Sequence, residues 1–257
     1  MLLYYITDRR QLRGSEAEQR RALLNKISQA ARSGVDYIQL REKDLGAREL
    51  LHLATEAREK IAEAAGSGRE TRNSHPEMGN GKRETRLLIN SRIDVALASG
   101  ADGVHLRGDD ISAADARVIW TKAPAARTSQ LATCNFLIAR SCHTAEEVRR
   151  AESDGADFVV FAPVFEKGGV QGVGLEGLRA ACRHAPQAST PEASPAVRIP
   201  VLALGGVTLE NARACMEAGA AGIAGIRLFQ ENDISELVAR LRANANLETA
   251  KEGKDAK

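Results

Sequence analysis

The sequence predicts an α/β protein, a single (β/α)8 TIM barrel with flexible insertions on its N-terminal face. Three observations carry this. First, one eight-residue phrase recurs four times, a small Gly-containing turn leading into an apolar run: SGVDYIQL at 33–40, SGADGVHL at 99–106, DGADFVVF at 154–161 and AGAAGIAG at 218–225. Each follows a stretch of helical character rich in Ala, Arg and Glu, so each reads as a helix ending at Gly with a buried strand behind it. Second, four more apolar runs lie between the phrases: LLYYI at 2–6, LLI at 87–89, FLIA at 136–139 and VLAL at 201–204. Third, the chain has 257 residues, against about 250 for one such barrel. Chemistry in these barrels sits at the C-terminal ends of the strands, which fixes where to look.

Composition narrows the partners. The 36 basic and 34 acidic residues leave a net charge of +2, and no polybasic stripe with interleaved aromatics suggests nucleic acid. No apolar run approaches the roughly 20 residues of a membrane span. The N-terminal MLLYYITDRR begins at once with strand-like residues, without a basic leader or cleavage site, so no signal peptide is expected. Cys134, Cys142, Cys182 and Cys215 show no CxxC spacing and read as buried or free thiols of a cytoplasmic protein. The barrel is expected over 1–244. Polar or Pro/Ala/Ser-rich insertions at about 66–86, 123–135 and 184–198 precede strands three, five and seven, and a disordered tail is expected over 245–257.

The strand ends follow in order. Strand one ends in Thr7-Asp8. Strand two ends in Gln39-Leu40-Arg41-Glu42-Lys43, where alternation puts Gln39, Arg41 and Lys43 on one side and Glu42 on the other. Two cations and an amide suit an anionic substrate; a solvated charge run is the plain alternative. Strand three ends in Asn90-Ser91-Arg92 and strand four in Arg107-Gly108-Asp109-Asp110. Carboxylates beside cations can hold Mg2+ next to a phosphate, whereas Asp110 as N-cap of a helix starting near Ile111 explains the same residue without function. His105, inside strand four, reads as a satisfied core histidine.

Strand five ends in Arg140-Ser141-Cys142-His143-Thr144. Thr144 with Glu147 forms a capping-box pattern, which leaves Arg140, Ser141 and His143 unexplained. His143 stands where a group titrating near neutrality can shuttle protons. Strand six runs into Ala162–Lys167 and the loop GGVQGVG, which can close over a substrate and offer N–H groups to an anion. Strand seven ends in Gly205-Gly206-Val207-Thr208 and strand eight in Gly225-Ile226-Arg227. Loops after these two strands recurrently cradle phosphate, and Arg227 adds a charge-assisted contact.

Taken in chain order, ITD, IQLREKD, LLINSRIDVALASGADGVHL, RSCHTAEE, GADFVVFAPVF and PVLALGGVTLEN resemble the thiamine phosphate synthase/TenI family from Tyr4 to Phe229. The resemblance implies one of two reactions. A synthase joins a pyrimidine methyl pyrophosphate to a thiazole phosphate and expels pyrophosphate with Mg2+; a TenI-type tautomerase moves a proton on a thiazole phosphate carboxylate with a histidine and needs no cofactor. By resemblance Gln39 and Lys43, with Arg41 between them, meet the pyrimidine pyrophosphate. Asn90 stands for the Asn of an Asn-Asp pair, Asp110 for a metal-binding Asp if the chain is a synthase, and Ser141 for a catalytic Ser after strand five.

Departures separate the branches. Ser91 replaces the second residue of the Asn-Asp pair, which weakens a Mg2+ site. Phe165-Glu166-Lys167-Gly168-Gly169 replaces a Thr-x-Thr-Lys loop, keeping Lys167 as its cation for phosphate. Arg107-Gly108 stands for Gly-Gln, and Arg227 for a small hydroxylated residue. RSCHT and APVFEK resemble the TenI branch, whose histidine matches His143. The leading reading is therefore a thiazole tautomerase with His143 as acid/base, Lys43 and Ser141 assisting, and Gly205 and Gly206 on the phosphate. The alternative is a Mg2+-dependent thiamine-phosphate synthase, and a third reading is a regulator that binds thiazole or thiamine phosphates without turnover. Expected partners are small phosphorylated molecules and further copies of the chain.

Overall fold

The computed structural model describes residues 1–66, 84–123, 136–166, 168–183 and 199–252, with side chains to residue 244. Eight strands, β1 (Leu2–Ile6), β2 (Tyr37–Leu40), β3 (Arg86–Asn90), β4 (Gly103–Leu106), β5 (Leu137–Cys142), β6 (Phe158–Phe161), β7 (Val201–Ala203) and β8 (Gly222–Gly225), pair in parallel in chain order and close into a barrel. Closure comes from β1 on β8, with Leu2 opposite Gly222 and Tyr5 opposite Gly225. Helices α1 (Glu16–Ser33), α2 (Ala47–Gly66), α3 (Ile93–Ser99), α4 (Ala113–Lys122), α5 (Ala145–Ser153), α6 (Gly174–Arg183) and α7 (Ala212–Glu217) alternate with the strands. The short α8 (Arg227–Gln230) and the long α9 (Ile234–Glu252) follow β8.

The recurring phrase has one structural meaning. Gly34, Gly100, Gly155 and Gly219 all take positive φ, at 81°, 65°, 79° and 102°, the left-handed turn that ends a helix and costs a residue with a Cβ. The Asp two residues beyond the first three of these glycines then grips the preceding strand at its start. Asp36 accepts the N–H of Leu3 at 2.9 Å, Asp102 that of Leu87 at 2.8 Å and Asp157 that of Ile138 at 2.7 Å. Each carboxylate also meets an arginine: Arg242, Arg86 and Arg117 respectively. The fourth phrase has Ala221 there and so lacks the carboxylate brace, keeping the main-chain bond from its N–H to the carbonyl of Val201. This ring of braces lies at the N-terminal ends of the strands, away from the expected chemistry.

Strand alternation sorts the apolar residues into two cores. Leu3 and Tyr5 face the helices; Tyr4 and Ile6 point into the barrel with Leu88, Ala139, Phe158, Val160, Leu202 and Ala224. Inside, Tyr37 stacks on Phe158 with centroids 4.7 Å apart, and Tyr4 meets both edge-on. The barrel is thereby plugged and its chemistry confined to the rims. Outside, Trp120 near the end of α4 stacks on Phe136 at 4.0 Å, just before β5 begins.

The expected insertions fall largely on residues 67–83, 124–135 and 184–198, outside the described residues; their flanks sit before β3, β5 and β7 as the sequence predicts. At the other end, the backbone of α9 continues to Glu252 where a disordered tail is expected, because LETAKE is built of helix-favouring residues. Among the described residues no helix is long and apolar enough to cross a membrane. Cys142, Cys182 and Cys215 are free, and burial pushes the Cys142 thiol up to about 12, so it is inert at neutral pH.

Candidate active site

A chain of hydrogen bonds crosses the mouth from β2 to the loop after β4. Gln39, 1 % exposed, donates through Nε2 to Asn90 Oδ1 at 2.9 Å. Asn90 Nδ2 donates to Ser91 Oγ at 3.2 Å, and Ser91 Oγ donates to Asp110 Oδ2 at 2.6 Å. The same oxygen accepts the N–H of Arg107 at 2.6 Å. All donors run one way and end on one carboxylate. Ser91 reaches it by adopting φ 59°, a backbone state uncommon outside glycine. Asp110 is therefore not the N-cap of α4 as the plain sequence reading has it. That cap is Ser112, whose side chain accepts the N–H of Asp115. Asp109 turns outward to Arg107.

Beneath this chain, His105 lies in the barrel between Tyr4 and Ser141. Its Nδ1 is 3.1 Å from the Tyr4 hydroxyl and its Nε2 2.8 Å from Ser141 Oγ. Burial, reinforced by the nearby positive charge of Arg41, pushes its pKa down to about 3. The ring is neutral at physiological pH, and with one N–H it donates to one neighbour and accepts from the other. The sequence reading of His105 as a satisfied core histidine holds, with Ser141 as its partner at the rim. Arg41 is half-buried and Lys43 exposed.

His143 stands at the rim of β5, exposed. Its Nδ1–H donates to the carbonyl of Ala162 at 2.6 Å, which leaves Nε2 as the other ring nitrogen. The expected capping box is shifted by one residue. Thr144 does cap α5, accepting the N–H of Glu147 at 3.2 Å, but the Glu147 carboxylate takes the N–H of His143 at 2.6 Å rather than that of Thr144. Arg140 points away from the barrel axis and donates to the carbonyls of Ile111 and Gly108, gripping the loop that carries Asp110.

The far side of the mouth is a cavity of about 380 Å3 whose lining includes Gly205, Gly206, Thr208, Gly225, Ile226 and Arg227. Gly205 and Gly206 have φ 93° and 63°. A Cβ on Gly205 would fall 2.7 Å from Pro163 Cα, and one on Gly206 2.7 Å from Phe165 Cβ. Asn211 fixes the turn, donating to the Gly206 carbonyl and accepting the N–H of Thr208. The N–H groups of Gly206 and Val207 have no acceptor among the described hydrogen bonds, so they can serve an anion. Exposed Arg227 adds positive charge at the cavity edge.

The expected site residues thus fall into two groups. Gly205, Gly206 and Arg227 share the cavity. Gln39, Asn90 and Asp110 are joined by the hydrogen-bond chain, and Ser141 lies against His105; none of these, nor Arg41, lines the cavity. Lys167 lies outside the described residues. Sequence reasoning missed Thr7 and Arg9, which meet Glu42 beneath the mouth. Thr7 donates to Glu42 Oε1 at 2.6 Å, and Arg9 Nη1 lies 3.2 Å from Glu42 Oε2. An arginine directly after a buried strand is the signal that could have found them.

Residues 80–229 match a family model described as thiamine monophosphate synthase. A putative thiamine-phosphate synthase 2 of Aquifex aeolicus is 35 % identical over 232 residues, 89 % of this chain and 97 % of that protein. The thiamine-phosphate synthase of Syntrophomonas wolfei is 32 % identical over 245 residues, 93 % of this chain and 94 % of that one. The solved thiamine phosphate pyrophosphorylase from Pyrococcus furiosus superposes with a TM-score of 0.67 at 28 % identity, covering 95 % of both chains.

Proposed function

Since the chain belongs to the thiamine monophosphate synthase family, we propose that it joins a pyrimidinylmethyl group, delivered as its diphosphate, to the ring nitrogen of a thiazole phosphate and releases pyrophosphate. The tautomerase reading that leads from RSCHT and APVFEK gives way here, because these relatives carry the synthase name. One observation supports the choice within the site: a cavity at the glycine turns after β7 and β8 and a polar hydrogen-bond chain from β2 to the loop after β4 are separate, and we read each as a place for one anionic group. Two phosphorylated substrates need both; a tautomerase needs one.

In this reading the cradle takes the thiazole phosphate on the N–H groups of Gly206 and Val207, with Arg227 beside it. Arg41 and Lys43 take the diphosphate. The C–O bond to the diphosphate breaks, the leaving group departs with the bonding pair, and the lone pair of the thiazole nitrogen closes the new C–N bond. No proton has to move at the reacting atoms, which agrees with a His105 held neutral and a His143 tied to a carbonyl at the rim. The work left to the protein is stabilising charge on the leaving group and aligning two rings.

Mg2+ fits this donor set in one form only. Among the described residues no cluster of three or more His, Cys, Asp or Glu side chains stands ready to hold a metal alone. Asp110 offers one carboxylate, and Ser91 has already committed its proton to it. A hard cation that keeps several waters and completes its shell on substrate phosphates can use such a site. Asp110, with Asn90 nearby, would hold it, and when bound it would neutralise charge on the departing pyrophosphate.

The test is to supply purified protein with both substrates and follow pyrophosphate release and the fused product, with and without Mg2+. Stoichiometric release that depends on Mg2+ supports the synthase. Conversion of the thiazole phosphate carboxylate to its tautomer without pyrophosphate release would overturn it, and saturable binding with neither reaction would leave a regulator.

A further inference from the structure

Three polar side chains under the mouth are buried, and a fourth, Asp44, lies exposed at the edge of their network. Thr7, Arg9 and Glu42 are 0 %, 4 % and 5 % exposed. Thr7 Oγ1 donates to Glu42 Oε1 and accepts the N–H of Arg41 at 3.0 Å. Glu42 also accepts the N–H of Arg9 at 3.0 Å and its Nη1 at 3.2 Å. The Arg9 guanidinium then forks onto Asp44, with Nη1 and Nη2 at 2.7 and 2.8 Å from its two oxygens.

A buried ion pair of this kind is a weak source of stability, since desolvation consumes most of the attraction. What it does provide here is geometry. Arg41 has its main chain held by Thr7, whose hydroxyl is aimed by Glu42. Lys43 is bracketed by Glu42 and Asp44, both held by the same guanidinium. The anchors hold the main chain of Arg41 and the two residues flanking Lys43, and none of these bonds involves a cation's own side chain.

We infer that Arg9 and Glu42 are positioning residues, a staple joining the ends of β1 and β2 that sets Arg41 and Lys43 at the spacing a diphosphate requires. This rests on the proposed diphosphate substrate. Three donors, the Thr7 hydroxyl and the Arg9 N–H and Nη1, share two carboxylate oxygens; an amide at 42 has one acceptor and turns an N–H2 toward a donor. A lysine at position 9 keeps the charge but cannot fork between Glu42 and Asp44.

The experiment uses Glu42→Gln and Arg9→Lys in the full chain, with circular dichroism as the check on folding. Titration calorimetry measures inorganic pyrophosphate with Mg2+ as one probe and inorganic phosphate as the other. Pyrophosphate binding should weaken about tenfold or more, the scale of misplaced hydrogen bonds to charged groups, while phosphate binding at the β7–β8 cradle stays unchanged. General loosening would weaken both probes alike and overturn the inference, as would a folded Glu42→Gln protein that binds pyrophosphate as the parent does. If neither variant folds, the network is structural and the inference falls. If the parent itself binds phosphate but not pyrophosphate, the diphosphate reading fails instead.

Discussion

At the scale of single residues, the site separates a histidine that must stay neutral from one on the rim. His105 titrates at about 3 in the folded chain against an ordinary 6.5. A depressed histidine contributes stability that is complete above about pH 6.5 and is lost as pH falls towards 3, with a slope of about 1.4 kcal/mol per pH unit. His105→Gln keeps a donor and an acceptor for Tyr4 and Ser141 but cannot take the proton. Urea denaturation from pH 7 to 4 should therefore show a flatter decline in the variant, and equal slopes would remove His105 from the acid response. Asp110 and His143 divide the mechanism. In a synthase Asp110→Asn should cut kcat by about 10^2-fold or more, as expected when charge stabilisation at a leaving group is removed, while His143→Asn should matter little. A severe loss in His143→Asn with Asp110→Asn active would restore the tautomerase. Much of this was legible in the sequence, because Gln39, Asn90 and Asp110 stand at strand ends where a barrel puts its chemistry. The contacts of Glu42 were not. Alternation places it off the mouth but does not reveal that it meets the buried Arg9, in the turn that follows β1.

At the scale of elements, the turn after β7 and the braces under the barrel behave differently. The sequence explains Gly206 by the close approach of a phosphate. The structure adds a second reason: a Cβ there would also lie 2.8 Å from the Glu166 carbonyl, so the glycine keeps the loop after β6 seated on the turn. Gly206→Val should raise KM for the thiazole phosphate and also lower stability, rather than leave the fold untouched. A folded variant with unchanged KM would take the phosphate away from this turn. Asp36 tests the braces. Asp36→Ala strips a buried acceptor from Leu3 N–H and should cost about 1–3 kcal/mol with kcat and KM preserved, measured by denaturant unfolding alongside assay. Impaired catalysis at full stability would contradict its assignment to the face away from the chemistry. The helix–Gly–strand phrase was readable because a positive-φ stop and a buried run are both local. The bonds from Asp36, Asp102 and Asp157 to the preceding strand were not, since they join residues 15 to 33 positions apart. Capping was half readable. Thr144 and Glu147 carry the right pattern, but which N–H the glutamate takes is decided by the bend of the chain at His143.

At the scale of the whole molecule, eight buried runs alternating with helices indicated a parallel sheet with both faces covered, which an open doubly-wound sheet or a closed barrel satisfies, and a length near that of one barrel pointed to closure. The division of the mouth into two halves did not follow. It arises from the packing of the β6 loop on the β7 turn and from a hydrogen-bond chain crossing three strands, neither of which has a sequence period. A last consequence comes from the stacked pair of Trp120 and Phe136. Trp120 is the chain's one tryptophan and is 7 % exposed, near the end of α4 and so at the rim opposite the mouth. Excited selectively, it is a built-in optical reporter with a restricted field of view. Its emission should shift to the red when the barrel melts and stay constant as phosphates are titrated in, so fluorescence can follow the integrity of the scaffold during turnover without seeing the substrates.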